Sequence, residues 1–211
     1  MKPRKKHYRV NAKQLIDKLE QRGMKGYYCA NKEEALKQVM SLLSAGTSVS
    51  WGGSMTLEAL DIKEKVHQGN YTVYDRAKAS SEEEKEKIYH QALNSDYFLT
   101  STNAITKDGK LVNIDGRGNR VAALIYGPKN VIVVAGMNKL TIDEEDARKR
   151  VRNEAAPINT QRLEMETPCA ITGSCANCTG DSSICSQTVI TRLSKPAGRI
   201  KVVLVGEQLG Y

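Results

Sequence analysis

The sequence predicts an α/β fold on an open, largely parallel sheet with an inserted hairpin, and three observations predict it. β-prone runs alternate with helical stretches over most of the 211 residues. Val131–Ala135 is an unbroken apolar run, the pattern of a strand covered on both faces. Asp108-Gly109, set between the β-prone arms Ala104–Thr106 and Leu111–Ile114, interrupts the alternation once with a hairpin signal.

The elements follow in order. Val10, Leu15, Ile16 and Leu19 recur at helical spacing and Gly23 closes that helix, behind a basic start (Lys2, Arg4, Lys5, Lys6, Arg9) expected to be flexible. Gly26–Ala30 reads as a strand. Asn31 then caps a helix through Ala35, Leu36, Val39, Met40 and Leu43, ended by Gly46. Thr47–Trp51 is β-prone and leads through Gly52-Gly53-Ser54-Met55-Thr56 into a helix carrying Leu57, Leu60, Ile62 and Val66. Tyr71–Tyr74 is a strand. Ser80 and Ser81, with Glu83 and Glu84 three residues on, start a charged helix reaching about Asn94.

Tyr97–Ser101 is the strand before the hairpin. Gly116–Gly118 precedes a helix of Val121, Ala122, Leu124 and Ile125, ended by Gly127-Pro128. After Val131–Ala135, Thr141 with Glu144 is expected to cap a helix to about Ala155, stopped by Pro157. A short helix over Thr188–Leu193 and a last strand, Ile200–Val205, complete the chain. No internal repeat or Pro/Gly/Ser-rich linker is visible, so one domain spanning 1–211 is the simplest account.

Composition narrows the function. Forty per cent apolar and 27% charged residues argue against disorder, and no apolar run has the length of a membrane span. The N-terminus lacks the apolar segment of a signal peptide, so a cytoplasmic protein is expected. A net charge of +8 suits an anionic partner, but with only 5% aromatic residues there is little to stack on bases, which argues against nucleic acid.

Four cysteines, Cys169, Cys175, Cys178 and Cys185, run as C-x5-C-x2-C-x6-C through turn-forming residues that cannot bury a core. In a reducing compartment disulfides explain them poorly. Thiolates at such density bind zinc, or hold an iron–sulfur cluster, and the spacing matches neither family of sites closely. Residues 169–185 are therefore expected to bind a metal or cluster, with redox-active dithiols as an alternative. Cys29, in Tyr27-Tyr28-Cys29-Ala30, reads as a buried strand residue.

Four further stretches follow predicted strands. Gly52, Gly53, Ser54 and Thr56 form a glycine turn into a helix, where free N–H groups and the helix dipole favour an anion; a plain capped turn explains them equally well. Thr100–Thr106, with Asn103, offers hydroxyls and amides that orient a carboxylate or merely make turns. Asp115, Asn119 and Arg120 offer a base and an anion clamp, or a structural ion pair around a glycine turn. Asn138 and Lys139 follow the apolar strand. The three histidines (His7, His67, His90) are scattered, without a metal or triad pattern. Asp115 and Glu207 are the only acid–base candidates suggested.

These blocks, WGGSMTLEAL, TSTNAITKDGKLVNIDGRGNRVAALIYGPKNVIVVAGMNKL, ARKRVRNEAAPIN and TPCAITGSCANC…ICSQTVI…RIKVVLVGEQLGY, resemble the LUD-domain family, the lactate-utilisation proteins, from about Leu15 to Tyr211. The resemblance implies a fold similar to the sugar-phosphate isomerase and CoA-transferase superfamily, whose Gly-Ser/Thr loop binds phosphates or carboxylates. It carries over Gly53, Ser54, Thr56, Asn103, Asp115, Asn119, Arg120, Asn138 and Lys139 as motif residues, without a catalytic role for any. Members accompany iron–sulfur subunits in oxidising L-lactate to pyruvate, and cysteine tails like this one mark a subset. The expectations are thus a small anionic ligand, iron–sulfur redox subunits as partners, a homo-oligomer, and a [4Fe–4S] cluster, or alternatively zinc, on the four cysteines.

Overall fold

The computed structural model describes residues 2–211. Its centre is a six-stranded, wholly parallel sheet. The strands are β1 (Lys25–Cys29), β2 (Ser48–Trp51), β3 (Thr72–Tyr74), β4 (Tyr97–Thr100), β7 (Asn130–Gly136) and β10 (Ile200–Val205), in the order β1-β10-β7-β4-β2-β3. The hairpin arms β5 (Ala104–Thr106) and β6 (Leu111–Asp115) join β8 (Leu140–Thr141) and β9 (Gln187–Thr191) in a second, four-stranded sheet, ordered β8-β5-β6-β9.

Two cores flank the parallel sheet, and alternation along its strands divides them. Val131, Val133, Val202 and Leu204 face one side. There they meet Leu15 and Leu19 of α1 (Pro3–Gln21), Ala92 of α5 (Glu82–Leu93) and Leu124 of α6 (Asn119–Ile125). Ile132, Val134, Val203 and Val205 face the other. They meet Val39 of α2 (Lys32–Ser41), Leu57 of α3 (Met55–Glu58) and Ile62 of α4 (Ile62–His67). Burial of each such side chain is worth about 1.5–3 kcal/mol, so the all-apolar runs at 131–135 and 202–205 reflect strands with no wet face.

Five sequence expectations need correction. The basic start is helical from Pro3, because proline suits the first helical turn. The stretch after Gly53 is two helices, broken where Asp61 takes a left-handed φ of 52°. Asp143, not Thr141, caps α7 (Glu144–Arg150), accepting a bond from the Asp146 amide.

Pro157 does not stop the helix. Val151–Ala155 widens into a π turn, in which the Ala156 amide reaches back to the Val151 carbonyl, and α8 (Ala156–Arg162) continues beyond. The wider turn makes room for a ring that would otherwise clash with the preceding turn. Finally, residues 187–191 form β9 rather than a helix. Four consecutive β-branched residues, Thr188–Thr191, lie antiparallel along the whole of β6. Among the described residues, no helix is long and apolar enough to cross a membrane.

Candidate functional site

Parallel strands end on one edge, and the loops leaving β2, β3, β4, β7 and β10 gather there. With the β6–α6 turn and residues of the cysteine loop they enclose a cleft of about 690 Å³. Cations dominate its wall: Arg76, Arg117, Arg120, Lys139 and Arg162 stand against Asp115 and Asp181.

Ser54 caps α3, accepting from the Leu57 amide at 3.3 Å, and so holds the Gly53–Thr56 turn against the cleft. Gly52 lies beneath it: a Cβ there would meet the Arg120 side chain at 3.1 Å. Thr56 is buried, its hydroxyl donating to the Leu209 carbonyl at 3.3 Å.

Arg120 is fully engaged. Its Nε donates to Asp115 Oδ2 at 2.8 Å, one terminal nitrogen to Asn113 Oδ1 at 2.6 Å, and the other to Asn103 Oδ1 at 3.2 Å and the Ile114 carbonyl at 2.9 Å. The second Asp115 oxygen accepts from the Gly118 amide at 2.8 Å. Burial pushes the guanidinium down from its ordinary range while Asp115 holds it up. This is the structural ion pair around a glycine turn, with Asn103 as its buttress. Asn119, on the first turn of α6, faces the cleft.

Lys139 ends a short 3₁₀ turn after β7 and is only 3% exposed. Its Nζ donates to Ser101 Oγ at 2.9 Å and Thr56 Oγ1 at 3.1 Å. Burial, followed by the nearby Arg150 and Arg120 charges, depresses it to about 7 against a smaller opposing pull from Glu154.

Two expected residues point elsewhere. Asn138 accepts from the Leu209 amide at 3.1 Å and donates to the Gly210 carbonyl at 3.3 Å, pinning the segment after β10, and does not itself line the cleft. The Glu207 carboxylate pairs with Lys5 of α1 at 3.2 Å and does not line the cleft. A proton-transfer role for Glu207 at this site is thereby removed.

The cysteine loop reaches the cleft. Cys169 is buried in α9 (Pro168–Thr172), near the hydroxyls of Thr167 and Thr160. Arg152, on the π turn, donates to Cys175 Sγ at 3.4 Å and to Asn177 Oδ1 at 3.1 Å. Desolvation opposes ionisation of Cys175, but Arg152 and the Asn177 amide outweigh it and lower the thiol from its ordinary value. Cys185 lines the cleft with Asp181 and Ser183–Ser186. Its surface is largely exposed at the rim, yet desolvation at the sulfur and the neighbouring Cys169, Cys175 and Cys178 push the thiol up to about 11. The four thiols therefore share one neighbourhood. Among the described residues, no three His, Cys, Asp or Glu side chains are already arranged to hold a metal ion.

A model of the LUD domain matches residues 12–205. This chain belongs to the LUD-domain family. A DUF162 family protein from Deinococcus radiodurans superposes on this LUD-domain chain with a TM-score of 0.53 at 13% identity, covering 94% of this chain and 97% of that one. The likeness is one of fold. Ribose 5-phosphate isomerase from Plasmodium falciparum overlaps it over 53% of this chain and 52% of its own (TM-score 0.32, 19% identity). The eIF2B β2δ2 complex from C. thermophilum overlaps over 54% and 43% (TM-score 0.38, 13% identity). No curated protein matches the LUD-domain chain significantly in sequence.

Sequence reasoning missed Arg76, Asn159, Arg162 and Tyr211 as cleft residues. Arg76 was findable, since it follows β3 at the same sheet edge. The α8 residues Asn159 and Arg162 were hidden by the assumption that Pro157 ended the helix. Tyr211 accepts from Arg162 Nε at 2.8 Å and carried no sequence signal.

Proposed function

We propose that the protein is a lactate-utilisation-like, redox-associated member of its family, in the subset with a four-cysteine tail. Its cleft binds a small carboxylate or phosphorylated ligand at the Gly-Ser loop, beside an iron–sulfur cluster held by Cys169, Cys175, Cys178 and Cys185. One observation carries this reading: Gly53–Thr56 and Cys185 line the same cleft. The excess of cations there favours an anion.

The thiols suit such a group in kind, as an all-sulfur donor set, and in neighbourhood, since Cys185 feels the other three. Closing the set requires movement of residues 173–186, which form no helix or strand and can rearrange without breaking the sheets. A bound cluster would supply one-electron transfer at the cleft rim. The chain's own residues do the rest: Gly53, Ser54, Thr56, Asn119 and Lys139 face the ligand, Gly52, Asn103 and Arg120 hold that wall in place, and Arg152 steadies the loop at Cys175.

One observation favours a second reading, a binding protein with structural zinc. The acid–base carboxylates suggested by sequence are tied up, Asp115 by Arg120 and Gly118, and Glu207 by Lys5. The same fact weighs against an isomerase or transferase working through Asp115. Anaerobically purified protein separates these readings. Iron and acid-labile sulfide in equal amounts, with a broad visible absorption lost in Cys185→Ser, are expected. A colourless, iron-free protein contradicts the cluster, and stoichiometric zinc selects the second reading.

A further inference from the structure

The surroundings of Lys139 in the cleft specify its state. Thr56 spends its hydroxyl proton on the Leu209 carbonyl, and Ser101 directs its own to the Thr102 carbonyl at 3.4 Å. Both oxygens can therefore only accept from Lys139. A neutral amine has two N–H bonds, and these two hydroxyls take both. Its lone pair is left in the remaining tetrahedral direction. An ammonium would carry a third N–H, and among the described residues no carboxylate lies within ion-pair distance to receive it.

The neighbouring charges reinforce this state. Arg120 is bound to Asp115, and Arg150 to Glu154 at 3.1 Å and to the carbonyls of Asn103 and Asn138. Neither guanidinium can leave, and both repel a proton on Lys139. Desolvation and adjacent cations are how lysines become nucleophiles, and they set this one at about 7. The amine also lines the cation-rich cleft, so a bound molecule can reach it.

We propose that Lys139 is an imine-forming lysine, acting on a small aldehyde or ketone that carries a carboxylate or phosphate. The proposal rests on the anion-binding reading of the cleft and adds the chemical class of the ligand's other end. The Nζ lone pair forms a bond to the carbonyl carbon while the C=O π pair moves to oxygen. A proton passes from nitrogen to that oxygen, while Ser101 and Thr56 hold the nitrogen in place by accepting from it. The hydroxyl then takes a second proton, from solvent water reaching the cleft, and leaves as water while the nitrogen pair forms C=N, so the product carries the positive charge that this proton brought. One water is released and no oxidant is consumed. The iminium so formed draws electrons from the adjacent carbon and acidifies its C–H bonds.

The test uses the full chain at pH 7.5 with pyruvate or glyceraldehyde 3-phosphate, reduction by cyanoborohydride, and peptide mapping by mass spectrometry. An exposed lysine with an ordinary value near 10.4 is only about one part in a thousand free amine at this pH. Reduced adduct is therefore expected at Lys139 at least roughly tenfold ahead of any other lysine. It should vanish in Lys139→Met and in the charge-keeping Lys139→Arg, and slow in Ser101→Ala. Adduct spread over surface lysines with Lys139 unmodified overturns the proposal, as does no adduct at all. Calorimetry of pyruvate and inorganic phosphate on the same samples separates the two claims. Binding without adduct removes the imine and leaves the anion site, whereas no binding removes both.

Discussion

At the scale of single residues, two buried cations on one wall behave oppositely. Arg120 has a partner for every donor it turns inward, so it is structural. Arg120→Met strands Asp115, 8% exposed, without its counter-charge, which should cost about 3–5 kcal/mol in denaturant unfolding. Asp115→Asn keeps a polar partner for Gly118 and should cost less. Lys139 has no counter-charge, and its folded-state value lies below its unfolded one. The unfolded chain thus binds more protons between about 7 and 10.5, and stability from this group rises with pH across that window. Below pH 7 the folded state bears the whole penalty of a buried ammonium. Lys139→Met should therefore be more stable than wild type at pH 6, with the difference shrinking towards pH 10. A pH-independent difference would show that Lys139 keeps its proton. Much of this was legible in sequence, because Ser54, Thr56 and Lys139 all follow strands and parallel strands end together. The directions of Asn138 and Glu207 were not. A 3₁₀ turn and a loop set them, and neither has a period that spacing can reveal.

At the scale of elements, the segment from Val151 to Arg162 joins both halves of the site. Its π turn presents Val151 and Ala155 to the cleft and Arg152 to Cys175. Proline inside a regular helix costs about 3 kcal/mol. Here the widened turn has already absorbed the ring, so Pro157→Ala should change unfolding stability by less than about 1 kcal/mol. A gain of several kcal/mol would mean that the helix is strained rather than accommodated. Neither this turn nor β9 was evident beforehand. Proline usually ends helices, and a short stretch such as 188–193 reads either way until a partner strand claims it. Leu111–Asp115 is that partner, 80 positions earlier at Leu111↔Thr191 and 72 at Asp115↔Gln187.

At the scale of the whole molecule, the apolar run at 131–135 foretold the parallel sheet, because only a doubly covered strand carries no polar face. The hairpin signal at Asp108-Gly109 was equally plain, but nothing local showed that its arms would build a second sheet with β8 and β9. Nor did spacing alone show which way the cysteine loop faces. The fold places it at the carboxyl edge of the parallel sheet, where Cys185 and the Gly53–Thr56 turn share a wall. Under the proposed function, anion site and thiol site are one. That identity is tested most directly by diffraction at the iron absorption edge from crystals of anaerobically prepared protein grown in phosphate. An anomalous peak is expected among Cys169, Cys175, Cys178 and Cys185, with phosphate against Gly53–Thr56 in the same cleft. Thiols without metal, or phosphate bound elsewhere with this turn empty, would contradict it.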